Sequence, residues 1–509
     1  MKLYLTSLLL VYSTLFSQSI SDLRLKKNKL ETALFERYKS EIEKKEAAKF
    51  LIDNLEIHYS ENYNWIDKQN KKVDFNELNY SDFKRAEQVF KKLQDSVKLK
   101  PKTYQVKDID VITPEFLIKN IDQAFQVWKN NPWSHSYNFK TFCEYILPYR
   151  SLTEPLEDWR SEYLQLVAQA SLKAKNVNQP VDVATQTILE LKNFRFLDSR
   201  PDPIPYLSPK QLLFRREGAC NDLANLTLLA CRSMGLAVTF DFTPEYGASS
   251  KRHFWDTVID ENGKHIPFNG NCFGNPQGLP YAYNATEKRL AKVFRKTFSI
   301  QQSSLAAIKD TAVIPNGFLR EKNILDVTEE YVATGKISYP INPESKNTTA
   351  YLNVFNLAKW RVIDWGQKKS NTIEFQNLGS NIVYLPSFYD PASKKMSYAK
   401  YPVLLDSNAK QQILNPNYNK TFSYNLTRDK NKKGPGLDFN SFEVFENEVF
   451  SLYVWDNGWK KLEEAKAEKD FIKFSKIPDN GLFLTLCPKS NGYERIFRIN
   501  SNTKQVEWY

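Results

Sequence analysis

The sequence predicts an α+β protein in three parts: a helical N-terminal region, a mixed helix-and-sheet core, and an all-β, sandwich-like C-terminal domain. Three observations predict it. Helical periodicity dominates from Ser21 to about Phe194. It stops at the proline-spaced run 199–209, SRPDPIPYLSP, whose residues are held extended by the prolines that follow them. From about Asn323 onward short strand-like runs alternate with turn clusters at regular spacing. A chain of 509 residues is long enough for two or three domains with cores of their own. The boundaries read as a leader at 1–19, a helical region at 20–198, the core at 199–298, a connection at 299–322 and the β domain at 323–509.

Taken in order, Lys2, the apolar run Leu3–Phe16 and the small residues Ser17 and Ser19 read as a secretory leader. The run is too short for a comfortable membrane span, and no other stretch is long and apolar enough. No cysteine follows it to carry a lipid. The mature chain is therefore expected to be soluble and exported: periplasmic, cell-surface associated or secreted. Ser21, Ser81 and Thr113-Pro114-Glu115 are helix starts, because a side-chain oxygen caps free N–H groups and proline suits a first turn. Helices are expected after each, and again in 155–174 and 181–194. The intervening segment Phe142–Arg160 holds Glu144, Arg150, Trp159 and Arg160, which either line a cleft or pack and salt-bridge against the core.

The chemistry concentrates between Phe214 and Gly270. Cys220 opens a helix whose Leu223, Ala224, Leu226, Leu228, Leu229 and Ala230 are apolar nearly all round, which predicts burial. Gly218 and Ala219 permit a close approach just before it, and Gly235 is the expected stop. A thiol at a helix N-terminus meets unpaired N–H groups and the positive end of the dipole, which favour the thiolate and a developing oxyanion. His253 opens the strand HFWDTVI, where the period of two puts Trp255, Thr257 and Ile259 on its face and Asp256 on the other. A tight DENGK turn leads to a second short strand that ends at Asn269. Thiol, imidazole and carboxamide in that order are the parts of an acyl-transfer site. Each alone has a plainer reading, as a buried thiol, a strand-end histidine and a turn residue.

These residues carry a resemblance. Tyr206 to Gly270 resembles the core of the transglutaminase-like superfamily, papain-like in its chemistry. The matching pieces are Gly218-Ala219-Cys220, Ser233-Met234-Gly235, His253-Phe254-Trp255 and Ile266-Pro267-Phe268-Asn269. Asn269 stands where the family usually has Asp, and Gly270 where Pro is common. The resemblance implies catalysis by Cys220, His253 and Asn269, with Gln211, upstream of the nucleophile helix, a candidate for the oxyanion hole. Trp255, Glu144, Arg150 and Trp159 are candidates for the substrate cleft. It also implies an exported cysteine hydrolase or acyl transferase, of peptidase, amidase or transglutaminase type, acting on a peptide, protein or glycopeptide. Hydrolysis is favoured because no calcium-type acidic loop accompanies the core. The alternative is a silent scaffold whose β region binds surface glycans or peptides. Trp360, Trp365, Trp455, Trp459 and Trp508 then form a platform if exposed, and core packing if not.

Composition excludes other classes. The excess of 71 basic over 59 acidic residues, +12, is spread over clusters interleaved with Glu, Asp and Asn, which read as solvated faces rather than a nucleic-acid footprint. Cys143, Cys220, Cys231, Cys272 and Cys487 make an odd count, so at least one thiol is expected free. Cys220 and Cys231 stand about 16 Å apart along one helix and cannot pair. With four histidines and no zinc-type spacing, no metal or other cofactor is expected.

Overall fold

The computed structural model describes residues 21–249, 252–269, 288–342, 344, 348–427, 442–500 and 502–509. Residues 1–19, expected to form a leader, and Cys272 lie outside them. The chain falls into two compact units: one from Met1–Asp241, Phe254–Tyr281 and Lys296–Ile300, the other from Phe242–His253, Ala282–Arg295 and Gln301–Tyr509.

In the first unit, helices Phe83–Val97 and Pro114–Asn130 form where periodicity places them, while the run expected as one helix after Ser21 divides into helix 21–37 and a second helix, Ile42–Asn54. Thr113 Oγ1 accepts the Phe116 N–H (3.3 Å) and Asp82 the Arg85 N–H (2.8 Å), each satisfying a first-turn donor. One apolar cluster joins Leu34, Leu51, Leu117, Ile121 and Phe142 to Ala237, Ile259 and Phe298. A second joins Trp159, Tyr163, Val183, Ile188 and Leu212 to Leu223–Met234 of the cysteine helix, with Val258 and Phe268. Two expectations need correction. The helical region contains an antiparallel hairpin, Tyr59–Ile66 with Lys100–Lys107, that periodicity missed because both strands are mostly polar and lie a whole helix apart. And the helix expected from Pro155 starts at Arg160, since Arg150 and Arg160 hold the preceding residues in an irregular path.

The second unit is mainly sheet. The larger one has eight strands, in the order Thr334–Pro340, Thr372–Gly379, Lys359–Lys369, Thr349–Asn356, Ile382–Asp390, Val403–Leu405 and Gln411–Ile413, with Lys395–Tyr398 also paired to Ile382–Asp390. Gln411 on the last strand exchanges hydrogen bonds with the Ser338 backbone on the first (2.9 and 3.1 Å), so this sheet nearly closes on itself. Ile337, Leu352, Ile363, Phe375, Tyr384 and Leu405 fill it. A five-stranded sheet and the pair Asn417–Thr427 with Phe471–Asp479 follow, around Phe450, Ile472, Phe474, Phe483 and Phe497. Trp360 and Trp455 are buried and meet edge to face, as do Trp455 and Trp459, while Trp508 stacks on Phe442. These four are packing residues. Trp365, half-buried like Trp459 and Trp508, borders a cleft.

Candidate active site

The helix Cys220–Ser233 begins with the cysteine itself, half-buried, and is buried from Asp222 to its end. Its start is fixed by three residues. Asp222, in the first turn, accepts the Ala219 N–H (2.9 Å), and Arg200 Nε holds the same carboxylate oxygen at 3.0 Å. Burial pushes the Asp222 carboxyl above its ordinary range, while the Arg200 charge and the Ala219 and Leu207 N–H groups pull it back. Gly218 supplies the room, because a Cβ there would stand 2.5 Å from Asp222 Cβ. Gly218→Ala is therefore expected to displace the first turn, cost about 1–3 kcal/mol of stability and slow alkylation of Cys220, read by denaturant titration and mass spectrometry. The preceding residues are braced too: Glu217–Gly218 pairs in parallel with Arg195–Phe196, and Leu197 N–H donates to Gly218 O (2.9 Å).

The far end is capped as the sequence requires. Gly235 has φ +80°, its N–H reaches Arg232 O and the Leu236 N–H reaches Cys231 O (3.0 Å each), a Schellman arrangement that absorbs the last carbonyls. Asn131 and Trp133 both donate to Met234 O, at 2.9 and 2.8 Å. With both ends pinned, the helix holds Cys220 in register with its own unit.

His253 heads the strand His253–Ile259, half-buried, in the second compact unit, while the rest of that strand belongs to the first. His265–Phe268 runs antiparallel to it through the tight turn, in which Asp260 accepts the Asn262 and Lys264 N–H groups (2.9 and 2.8 Å) and Gly263 takes φ +80°. Asp256 stands opposite Phe268, which brings the buried Asn269 alongside Trp255. Val258, Ile266 and Phe268 join the cluster of the cysteine helix, whereas Ile259, on the alternate face, joins Ala237 and Phe298. Trp255 is fully buried.

Asp256 is fully buried and neither of its carboxylate oxygens has a hydrogen-bond partner, so it does not hold the His253 ring. Burial pushes its carboxyl well above the ordinary range, with the Arg232 charge opposing and Asp241 adding to the rise. The unfolded chain then binds fewer protons than the folded one, so this residue's contribution is fully present below about pH 4 and is lost as pH climbs toward the folded value. Asp256→Asn is expected to match the parent in thermal melts at pH 4 and to gain about 2 °C or more as pH rises, with turnover unchanged.

The other residues singled out in the sequence are engaged inside the first unit. Gln211 caps its helix: its carbonyl accepts the Ser208 N–H (2.9 Å), and its amide donates to Glu77 (2.7 Å) and Tyr63 (3.2 Å). Glu144 accepts from the N–H and hydroxyl of Ser299, at 3.0 and 2.6 Å, and from the Phe298 N–H. Arg150 is buried on Asp108, and Trp159 Nε1 donates to Tyr149 O (2.7 Å). These contacts hold irregular backbone in place. Sequence reasoning missed Arg200 and Asp222, although an acid two residues after a cysteine at a helix start was a usable capping signal.

Among the described cysteines, Cys143, Cys231 and Cys487 are free thiols. Burial pushes Cys143 up to about 12 and Cys231 well above its ordinary value. No helix among the described residues is long and apolar enough to cross a membrane.

Residues 168–270 match the family model described as the transglutaminase-like superfamily. No curated protein sequence matches the chain. A solved structure, the crystal structure of red sea bream transglutaminase, aligns over 87% of this chain and 77% of its own at 9% identity, with a TM-score of 0.22. So low a score carries no argument about this chain.

Proposed function

We propose, from the transglutaminase-like domain that residues 168–270 form, that this chain is a cysteine-dependent enzyme cleaving or transferring amide-linked acyl groups. The observation that carries the reading is a half-buried cysteine opening a buried helix with both ends pinned, inside the family segment. In the proposed reaction His253 takes the Cys220 proton, and the thiolate sulfur attacks the amide carbonyl. First-turn N–H groups of the cysteine helix face the oxyanion of the tetrahedral intermediate. The C–N bond then breaks, the leaving nitrogen takes the proton back from His253, and a Cys220 thioester remains. Water or an amine attacks that thioester and restores the thiol; hydrolysis is the favoured outcome. Asn269 serves as the positioning residue for His253. The substrate is a peptide, protein or glycopeptide met outside the cell, the reading given to the leader.

Thiol alkylation tests the nucleophile without knowledge of the substrate. In a Cys272→Ser/Cys487→Ser background, iodoacetamide near pH 7 is expected to label Cys220 at least about tenfold faster than a free-thiol peptide. Cys143 and Cys231 stay unlabelled, since burial keeps both protonated. A Cys220 rate at or below the peptide's removes the proposal.

A further inference from the structure

Within the second unit lies a cleft of about 530 Å³ that the acyl-transfer reading does not use. Its floor is Lys292, whose side chain is 2% exposed and whose ammonium donates to Asp326 Oδ2 (2.5 Å) and Gln376 O (2.9 Å) and meets Asp364 Oδ2 at 3.3 Å. Its walls combine Phe294, Leu305, Leu319 and the half-buried Trp365 with the polar Ser303, Gln367 and Asn377. A buried ion cluster is a poor device for stability, because desolvation consumes most of the attraction. One set at the floor of a cleft beside an aromatic wall has the build of a ligand site.

The charges select the ligand. Two lysines, Lys292 and Lys369, face three carboxylates, Asp326, Asp364 and Glu374, so the cleft carries a net negative charge and disfavours anions. A cation gains little, because Lys292 already occupies the seat between Asp326 and Asp364. What these carboxylates still offer is acceptor capacity, and the amides and serine offer both donors and acceptors. A neutral polyhydroxylated ligand uses all of them, and its flat C–H face suits the Trp365 ring. We propose that this cleft, floored by Lys292, Asp326 and Asp364 and walled by Trp365, binds a neutral saccharide. The site is independent of Cys220, and neither proposal falls with the other.

The full chain is titrated with cellotriose, maltotriose and N,N′,N″-triacetylchitotriose, with trigalacturonate and spermidine as charged controls, by calorimetry and tryptophan fluorescence. At least one neutral trisaccharide is expected to bind with a Kd below about 1 mM. Trp365→Ala and the surface change Gln367→Ala are each expected to weaken it about tenfold or more, with the alkylation rate of Cys220 unchanged. Gln367→Ala, on an exposed side chain, keeps the test valid should Trp365→Ala destabilise the fold. No binding by the three neutral sugars, binding by a charged control alone, or full affinity in both variants overturns the proposal.

Discussion

Cys220→Ala is expected to abolish turnover, by about a thousandfold or more, while leaving the melting curve within a degree or so of the parent. The suitable assay is a denatured-protein mixture with added amine, read by mass spectrometry for new termini, deamidated side chains and amine adducts. Those three products separate peptidase, amidase and transferase activity in one measurement. His253→Ala is expected to fall almost as far, since a nucleophile and its base act as a unit and their losses do not add. Asn269→Ala should lower turnover by about ten- to a hundredfold and Asn269→Asp should retain much of it, because either carboxamide or carboxylate accepts the ring N–H and fixes the tautomer. Wild-type turnover in Cys220→Ala ends the assignment outright. Equal activity in Asn269→Ala removes the third member alone.

The largest effect on stability is expected from Arg150. Its guanidinium bonds both oxygens of Asp108 (2.6 and 2.7 Å), Ser60 Oγ and the carbonyls of Tyr59 and Glu154 (3.0 Å each), and neither partner's side chain is more than 2% exposed. Arg150→Met would leave Asp108 charged, buried and paired with only the Tyr149 hydroxyl (2.8 Å), and should cost about 3–5 kcal/mol. Asp108→Asn/Arg150→Met should recover part of that loss, because the uncompensated charge disappears. Urea titrations of the three variants measure it. A cost for Arg150→Met below about 1 kcal/mol would mean water reaches the pair, and the residue would return to being a cleft candidate.

That contrast shows what the sequence could disclose. The cysteine helix was legible because its determinants are local: an all-round apolar run, a glycine at the positive-φ stop and another at the tight start. The Asp260–Lys264 turn was legible for the same reason. The work of Glu144 was not, because its partners Phe298 and Ser299 lie more than 150 residues away and nothing near position 144 announces them. The sequence leaves Arg150 between a cleft role and a salt bridge for a related reason. A lone arginine in a polar stretch reads the same whether its carboxylate partner is a substrate or a distant aspartate. The hairpin of Tyr59–Ile66 was hidden by length, since a strand must find its partner before its pattern makes sense. Four of the five tryptophans considered for a platform proved to be packing residues, because a ring's exposure is decided by neighbours that composition does not name.

The interleaving of the two compact units bears on how the chain is made. The segment Phe242–His253 belongs with residues synthesised far later: the Gly247 carbonyl waits for Arg495 Nη2 (2.9 Å), 248 positions downstream. At about 5–20 residues per second a ribosome needs roughly 12–50 s to cover that distance. During this interval the cysteine helix can already be capped at both ends, while His253 belongs to a unit still without most of its chain. On the proposed assignment, the nascent polypeptide carries its thiol before it carries a fixed base. On that assignment the chain would emerge inert and acquire its reactivity only with its last strands. The same order means that a cut near residue 300 would not release a free-standing domain, because Phe242–His253 and Ala282–Arg295 would be left behind without the unit they complete.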